Sequence, residues 1–183
     1  MPDLLTHYMA SYLVARALVE PRRALLLAFV GLLPDVDALL LVHRWVTHSI
    51  PVVLLASTPL LALTYAYRRE YFGVTVLAVL LYTLHIVMDL LTGLTPIMWP
   101  LAPALALNIG VDGVYGVDSV KVTPDFEVVV GPVDFARRDS VEGPLVSETG
   151  LMLALVAALT SLVECASRRS GFTRPRGALS WWI

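Results

Sequence analysis

Four histidines and three aspartates fall in short clusters at the ends of hydrophobic segments: His7, the pair Asp35 and Asp37, then His43 and His48, then His85 and Asp89. The chain has no other histidine. Imidazole and carboxylate are the donors that hold zinc, manganese or iron. A lone ionisable side chain inside a bilayer costs roughly 2.5 to 3.5 kcal/mol on insertion scales. Seven such groups in an apolar chain point to a shared divalent-metal site.

The spacing says how they could converge. His85 and Asp89 are four residues apart and share one helical face, where they can aim donors of different charge at one ion. A buried hydrogen bond between them that stabilises a helix bundle is the competing use. Asp35-x-Asp37 follows Gly31-Leu-Leu-Pro34, where glycine and proline end a helix and set both carboxylates in a turn. In so short a turn one aspartate is expected to ligate and the other to orient a water or a histidine. Ser49 before Ile50-Pro51 reads as a helix N-cap, which places His48 at a helix mouth.

Three or four imidazoles with two or three carboxylates fit a centre of one or two ions, zinc first, manganese or iron as alternatives. Such a centre acidifies bound water to a pKa of about 7 and so supplies a nucleophile for phosphoryl or carbonyl groups. A surplus carboxylate, Asp35 or Asp37, is the candidate general base. Arg44, Thr47, Ser49 and Thr92 stand close to these residues in sequence and could orient them or bind a substrate phosphate, Arg44 being the catalytic candidate among them. No HExxH zincin motif, nucleophile elbow or P-loop is present. The HxxxD pattern resembles the last motif of membrane phosphatidic-acid phosphatases, but the other elements of that family are absent.

The elements that must position these residues are membrane helices. Of 183 residues, 57% are apolar, and a mean hydropathy of +0.75 exceeds that of soluble domains. The net charge of −2 does not call for nucleic acid, and the single Cys165 excludes an intrachain disulfide. Ser49 to Tyr67 carries no charge, Gly150 to Ala166 only Glu164, and Phe72 to Leu91 only His85 and Asp89; all three have the length of a span. Leu4 to Val19 and Ala24 to Leu33 are shorter, and could be tilted, half-buried or re-entrant. The opening segment MPDLLTHYMASYLVARAL lacks a basic n-region and reads as retained structure.

If all five segments cross, Arg22, Arg23, Arg68, Arg69, Arg168, Arg169, Arg174 and Arg176 share one side, eight of the thirteen basic residues. The positive-inside rule makes that side cytoplasmic. The histidine and aspartate clusters then all lie at the opposite, extracytoplasmic face. Between Leu91 and Gly150, VDSVKV and FEVVV flank Thr123-Pro124-Asp125 and predict a β-hairpin turning at the proline. The expected fold is an all-α membrane bundle of about five helices with a small β-hairpin insertion. Its parts are a helical metal-site region over 1–101, the extracytoplasmic insertion over 102–149, a last span over 150–167 and a basic cytoplasmic tail over 168–183. The tail ends in Trp181-Trp182-Ile183, suited to the membrane interface.

THYMAS, GLLPDVD, HRWVTHS and HIVMDLLTG, followed by Trp99-Pro100, together resemble the YdjM-like family of inner-membrane metal-dependent hydrolases over about residues 1 to 101. The resemblance implies a multi-helix membrane fold distantly similar to zinc-dependent phospholipase C. It also implies a metal set drawn from His7, Asp35, Asp37, His43, His48, His85 and Asp89. Trp45 stands where that family usually has glycine, and the stretch after Asp89 is slightly contracted.

The expected function is therefore a membrane-embedded metal-dependent hydrolase acting on a phosphoester of a lipid or lipid-linked substrate, met at headgroup depth. Two other readings stay open. One is a metal-binding transport or sensor protein, although Ser49 to Tyr67 and Gly150 to Leu162 offer only Ser, Thr and Tyr for a polar path across the membrane. The other is a structural metal or hydrogen-bond network without turnover.

Overall fold

The computed structural model describes residues 3–42, 44–115, 119–140 and 143–169. Helix α1 (Leu4–Leu18) starts at Asp3, whose carboxylate accepts a hydrogen bond from the Thr6 amide at 3.0 Å and satisfies an otherwise orphaned donor. It ends before Pro21, which opens α2 (Pro21–Ala28) at a position where its missing N–H costs nothing. Beyond Ala28 the chain tightens into 3-10 turns over Phe29–Leu32 and Pro34–Leu40. The expected helix Ala24 to Leu33 thus begins earlier and loses its α-helical pitch at Phe29.

Gly31 shows why the chain runs so close to α1. A Cβ built there would lie 1.9 Å from Ser11 Oγ, so only glycine lets this turn pack against the helix. The same rule of small residues at contacts governs the core, where Ala15, Ala24, Ala28 and Ala157 pack with Tyr12, Leu77 and Leu81.

A further short turn (Val46–His48) leads to α3 (Ile50–Tyr67), capped by Ser49. Helix α4 (Arg69–Leu90) follows directly and packs against α3, α1 and the Phe29–Leu32 turn. Helix α5 (Glu148–Arg169) packs on α1, where Arg16 pairs with Glu164. Among the described residues, three helices are long and apolar enough to cross a membrane: Ile50–Tyr67, Arg69–Leu90 and Glu148–Ser167. At 15 and 8 residues, α1 and α2 fall short of the roughly 20 that a span needs. Only Val53 of α3 is buried, the pattern of a helix whose solvent is lipid.

Two strands, β1 (Ala104–Tyr115) and β2 (Val120–Gly131), form one antiparallel ribbon in unbroken register from Ala104 opposite Gly131 to Tyr115 opposite Val120. The hairpin turn expected at Thr123-Pro124-Asp125 is not there. Pro124 lies inside β2, opposite Val111, and the reversal falls between Tyr115 and Val120. In a two-stranded ribbon each strand has an open edge, so a proline without its N–H need not break the ladder. The terminal Trp181-Trp182-Ile183 and the arginines at 174 and 176 lie outside the described residues.

Candidate metal centre

Helix α4 contributes His85 and Asp89, both fully buried one turn apart near its end. The Pro34–Leu40 turn brings Asp35 and Asp37 to them, the Val46–His48 turn brings His48, and α1 brings His7 from its first turns. The Gly31 contact with Ser11 draws the Phe29–Leu32 turn, and with it the start of the Pro34–Leu40 turn, against α1.

One donor each from Asp35, His48, His85 and Asp89 lies within 4.8 Å of the others. The Nε2 atoms of His48 and His85 are 3.3 Å apart. His48 Nε2 is 3.3 Å from Asp89 Oδ2 and 3.8 Å from Asp35 Oδ1. His85 Nε2 is 3.4 Å from Asp35 Oδ1 and 4.0 Å from Asp89 Oδ2. Donors at 2.0–2.1 Å around a tetrahedral zinc are separated by about 3.3 Å. The quartet is close to that spacing and could hold a metal ion.

Hydrogen bonds behind the imidazoles set their tautomers. His85 Nδ1 lies 2.6 Å from the Gly31 carbonyl oxygen, which can only accept, so Nδ1 carries the hydrogen and a neutral ring presents a bare Nε2 to the quartet. His48 Nδ1 sits 3.1 Å from Asp37 Oδ2. That oxygen also accepts from the Trp45 amide at 2.7 Å and from Thr47 Oγ1 at 2.9 Å. Asp37 therefore stands behind His48 in a carboxylate–histidine arrangement, while Asp35 faces the quartet.

Two bare nitrogens 3.3 Å apart repel unless a cation or a proton lies between them. Burial works against charge on His48, yet hydrogen bonds with Asp35, Asp37 and Asp89 outweigh it and raise the imidazole to about 10. Burial likewise opposes ionisation of Asp35, but the neighbouring His48 and His85 imidazoles hold it well below the usual carboxylate range.

His7 stands one step outside. Its ring stacks on His85 with centroids 3.7 Å apart, and its Nε2 is 3.4 Å from Asp89 Oδ1. Both His7 ring nitrogens and Asp89 Oδ1 are buried and, among the described residues, have no hydrogen-bond partner. Such atoms are costly to bury. They are polar atoms on that side of Asp89 that a cation could engage.

Arg44 is buried with φ 53°, in the left-handed region, and its side chain spans three acceptors. Nε donates to Asp89 Oδ2 at 3.1 Å, Nη1 to the Leu94 carbonyl at 3.1 Å and Nη2 to Thr92 Oγ1 at 2.8 Å. A side chain at Gly93 would come within 2.9 Å of Nη1. Arg44 thus holds Asp89 in place and forms one wall of an adjoining cavity of about 250 Å³, with Leu94, Pro96, Pro132, Asp134 and Arg138. Ser49 donates to the Trp99 carbonyl at 2.5 Å and ties the segment after α4 to the mouth of α3. His43 lies outside the described residues.

Sequence reasoning missed the Gly31 carbonyl, because a backbone acceptor leaves no residue-type signal. It also missed Tyr82, which donates to the Thr47 carbonyl at 3.0 Å and steadies the His48 turn. Its position three residues before His85, on the same face of α4, was the available clue. Arg138 and Asp134 come from the far side of the ribbon, where local pattern is silent.

No curated protein and no solved structure matches the chain. The family comparison is positive: together with three apolar helices and buried histidine–aspartate chemistry at one end of them, a match over residues 1–166 to the family model "YdjM inner membrane protein" places this chain in that family.

Proposed function

We propose that this protein is a membrane-embedded metal-dependent hydrolase acting on a phosphoester of a lipid or lipid-linked substrate. The observation that carries the reading is the quartet Asp35, His48, His85 and Asp89 with its outer hydrogen bonds, which leave imidazole Nε2 atoms aimed at one point. A divalent ion held there, zinc by its donor set, would supply Lewis acidity and an acidified water.

The chain's own residues do the rest. Asp37 and the Gly31 carbonyl orient the imidazoles, and Arg44 holds Asp89 and faces the cavity. Asp89 turns one oxygen toward the quartet, which would hold the ion, and the other toward His7. The α1 and α2 hairpin packs beside the three long helices, and the centre faces the extracytoplasmic side, away from Arg68 and Arg69. A site at the end of apolar helices meets lipid headgroups without extracting the lipid, which supports the substrate class.

Metal analysis of detergent-purified protein, run beside a phosphoesterase panel that includes phosphatidic acid and polyprenyl phosphates, tests the reading. Bound metal with turnover that chelator abolishes and zinc or manganese restores is expected. Stoichiometric metal with no turnover on any phosphoester overturns the hydrolase reading in favour of a binding or structural site.

A further inference from the structure

The β ribbon places all its charged side chains on one face. In an unbroken antiparallel ladder, directly opposed residues point to the same face and successive residues alternate. Leu107 and Val128, Ile109 and Phe126, and Tyr115 and Val120 are opposed pairs that share one face. No charged residue interrupts that face over the whole ladder. Asn108 opposite Glu127, Gly110 opposite Asp125, Asp112 opposite Thr123, and Lys121 opposite Val114 all fall on the other.

The apolar face is uncovered. Phe126 is 66% and Tyr115 84% exposed, and from Asn108 to Tyr115 every residue of β1 is exposed. Only the base is packed: Ala104 and Ala106 are buried, and Leu105 bridges to Thr95. A two-stranded ribbon is marginal in water without something against its apolar side. The helices do not provide it, because the ribbon's packing against them is at its base, mainly β1 against the end of α4.

We propose that the apolar face of the ribbon lies on the bilayer surface beside the metal centre. Three observations favour lipid as the occupant. The ribbon is inserted between α4 and α5, both long and apolar enough to cross a membrane, so a bilayer surface is tethered next to it in every copy of an inner-membrane protein. Its opposite face carries Asp112, Asp125 and Glu127 against one lysine, Lys121, and this acidic excess is repelled by anionic headgroups, which orients the apolar face inward. Tyr115 and Phe126 are aromatic side chains of the kind that partition to the interface. Seated in this way the ribbon also places the cavity at headgroup depth, since Ala104 at its base and Pro132 to Asp134 just beyond it line that cavity.

The test uses full-length protein with Cys165→Ser, carrying an environment-sensitive fluorophore on Val122→Cys or on its neighbour Thr123→Cys. The proteins are reconstituted into phosphatidylcholine–phosphatidylglycerol vesicles with and without brominated phosphatidylcholine. Emission at Val122→Cys is expected to be blue-shifted and quenched several-fold more strongly than at Thr123→Cys. The pair Val111→Cys and Asp112→Cys on the other strand repeats the measurement, so one poorly folding variant does not decide the outcome. Equal, weak quenching on both faces overturns the proposal. So does an apolar-face label that is shielded without bromine quenching while Val122→Cys cross-links two copies, because the occupant is then a second chain.

Discussion

At the level of single residues, the two carboxylates of the Asp35-x-Asp37 turn stand in different environments, and this makes them separable. Asp35 faces the imidazole Nε2 atoms, whereas Asp37 sits behind His48 and never touches the quartet's centre. Asp35→Asn is expected to lose most bound metal. Asp37→Asn should keep the fold but bind metal on the order of 10- to 100-fold more weakly, the usual cost of losing an outer partner. Competition with a chelator reads both, and indistinguishable affinities would sink the distinction. His85→Ala and Asp89→Ala should each abolish most metal binding while the protein still inserts. Gly31→Ala forces a methyl group into Ser11 and should destabilise by about 1 to 3 kcal/mol, as overpacking does. Adding Ser11→Gly should recover most of the lost melting temperature, which a defect elsewhere would not allow.

At the level of elements, the junction of α1 with α5 is held by a buried carboxylate. Asp3 accepts from the Thr6 amide at 3.0 Å, from Thr6 Oγ1 at 2.5 Å and from Ser147, and Gly150 leaves room for it. Burial opposes its ionisation, but the bonds from Ser147 and Thr6 prevail and lower it from an ordinary 3.8 to about 2. The folded value is depressed, so the stabilisation is fully present above the unfolded value and is lost as pH falls through about 2. The melting temperature in detergent should therefore drop between pH 4 and 2 by a component that Asp3→Asn removes. At pH 7 the same substitution should cost about 1 to 3 kcal/mol, because an amide replaces the charge that accepts the Thr6 and Ser147 hydrogen bonds. An Asp3→Asn profile parallel to the unmodified one would show that this clamp does not respond to acid.

At the level of the whole molecule, the arrangement depends on which end of the helices faces which compartment. The connection from α3 to α4 and the far end of the ribbon are separated by α4 alone, so their sidedness tests one crossing without reference to the shorter helices. In a Cys165→Ser background, Glu70→Cys should be protected from an impermeant thiol reagent in intact cells, and Ser119→Cys should react. Reversed labelling would place the centre on the cytoplasmic side and change the substrate pool. Labelling of both from one side would mean that α4 does not cross.

The donor types, the shared face of His85 and Asp89, the cap at Ser49 and the three apolar spans were readable from the sequence, because each depends on residues a few positions apart. The strands were only half readable. The run FEVVV marked Phe126 to Val130 as strand, but Pro124 looked like a turn because local pattern cannot tell that β2 has an open edge able to accept it. Tertiary structure alone decided that His7 stacks on His85, that Asp37 backs His48 while Asp35 joins the quartet, and that Arg44 grips Asp89. Those relations join segments tens of residues apart. They follow from how closely the backbone at Gly31 can approach Ser11, and from left-handed turns at Leu41 and Arg44 that redirect the chain toward α4. Sequence supplies the ligands; the packing of small residues decides where their lone pairs point.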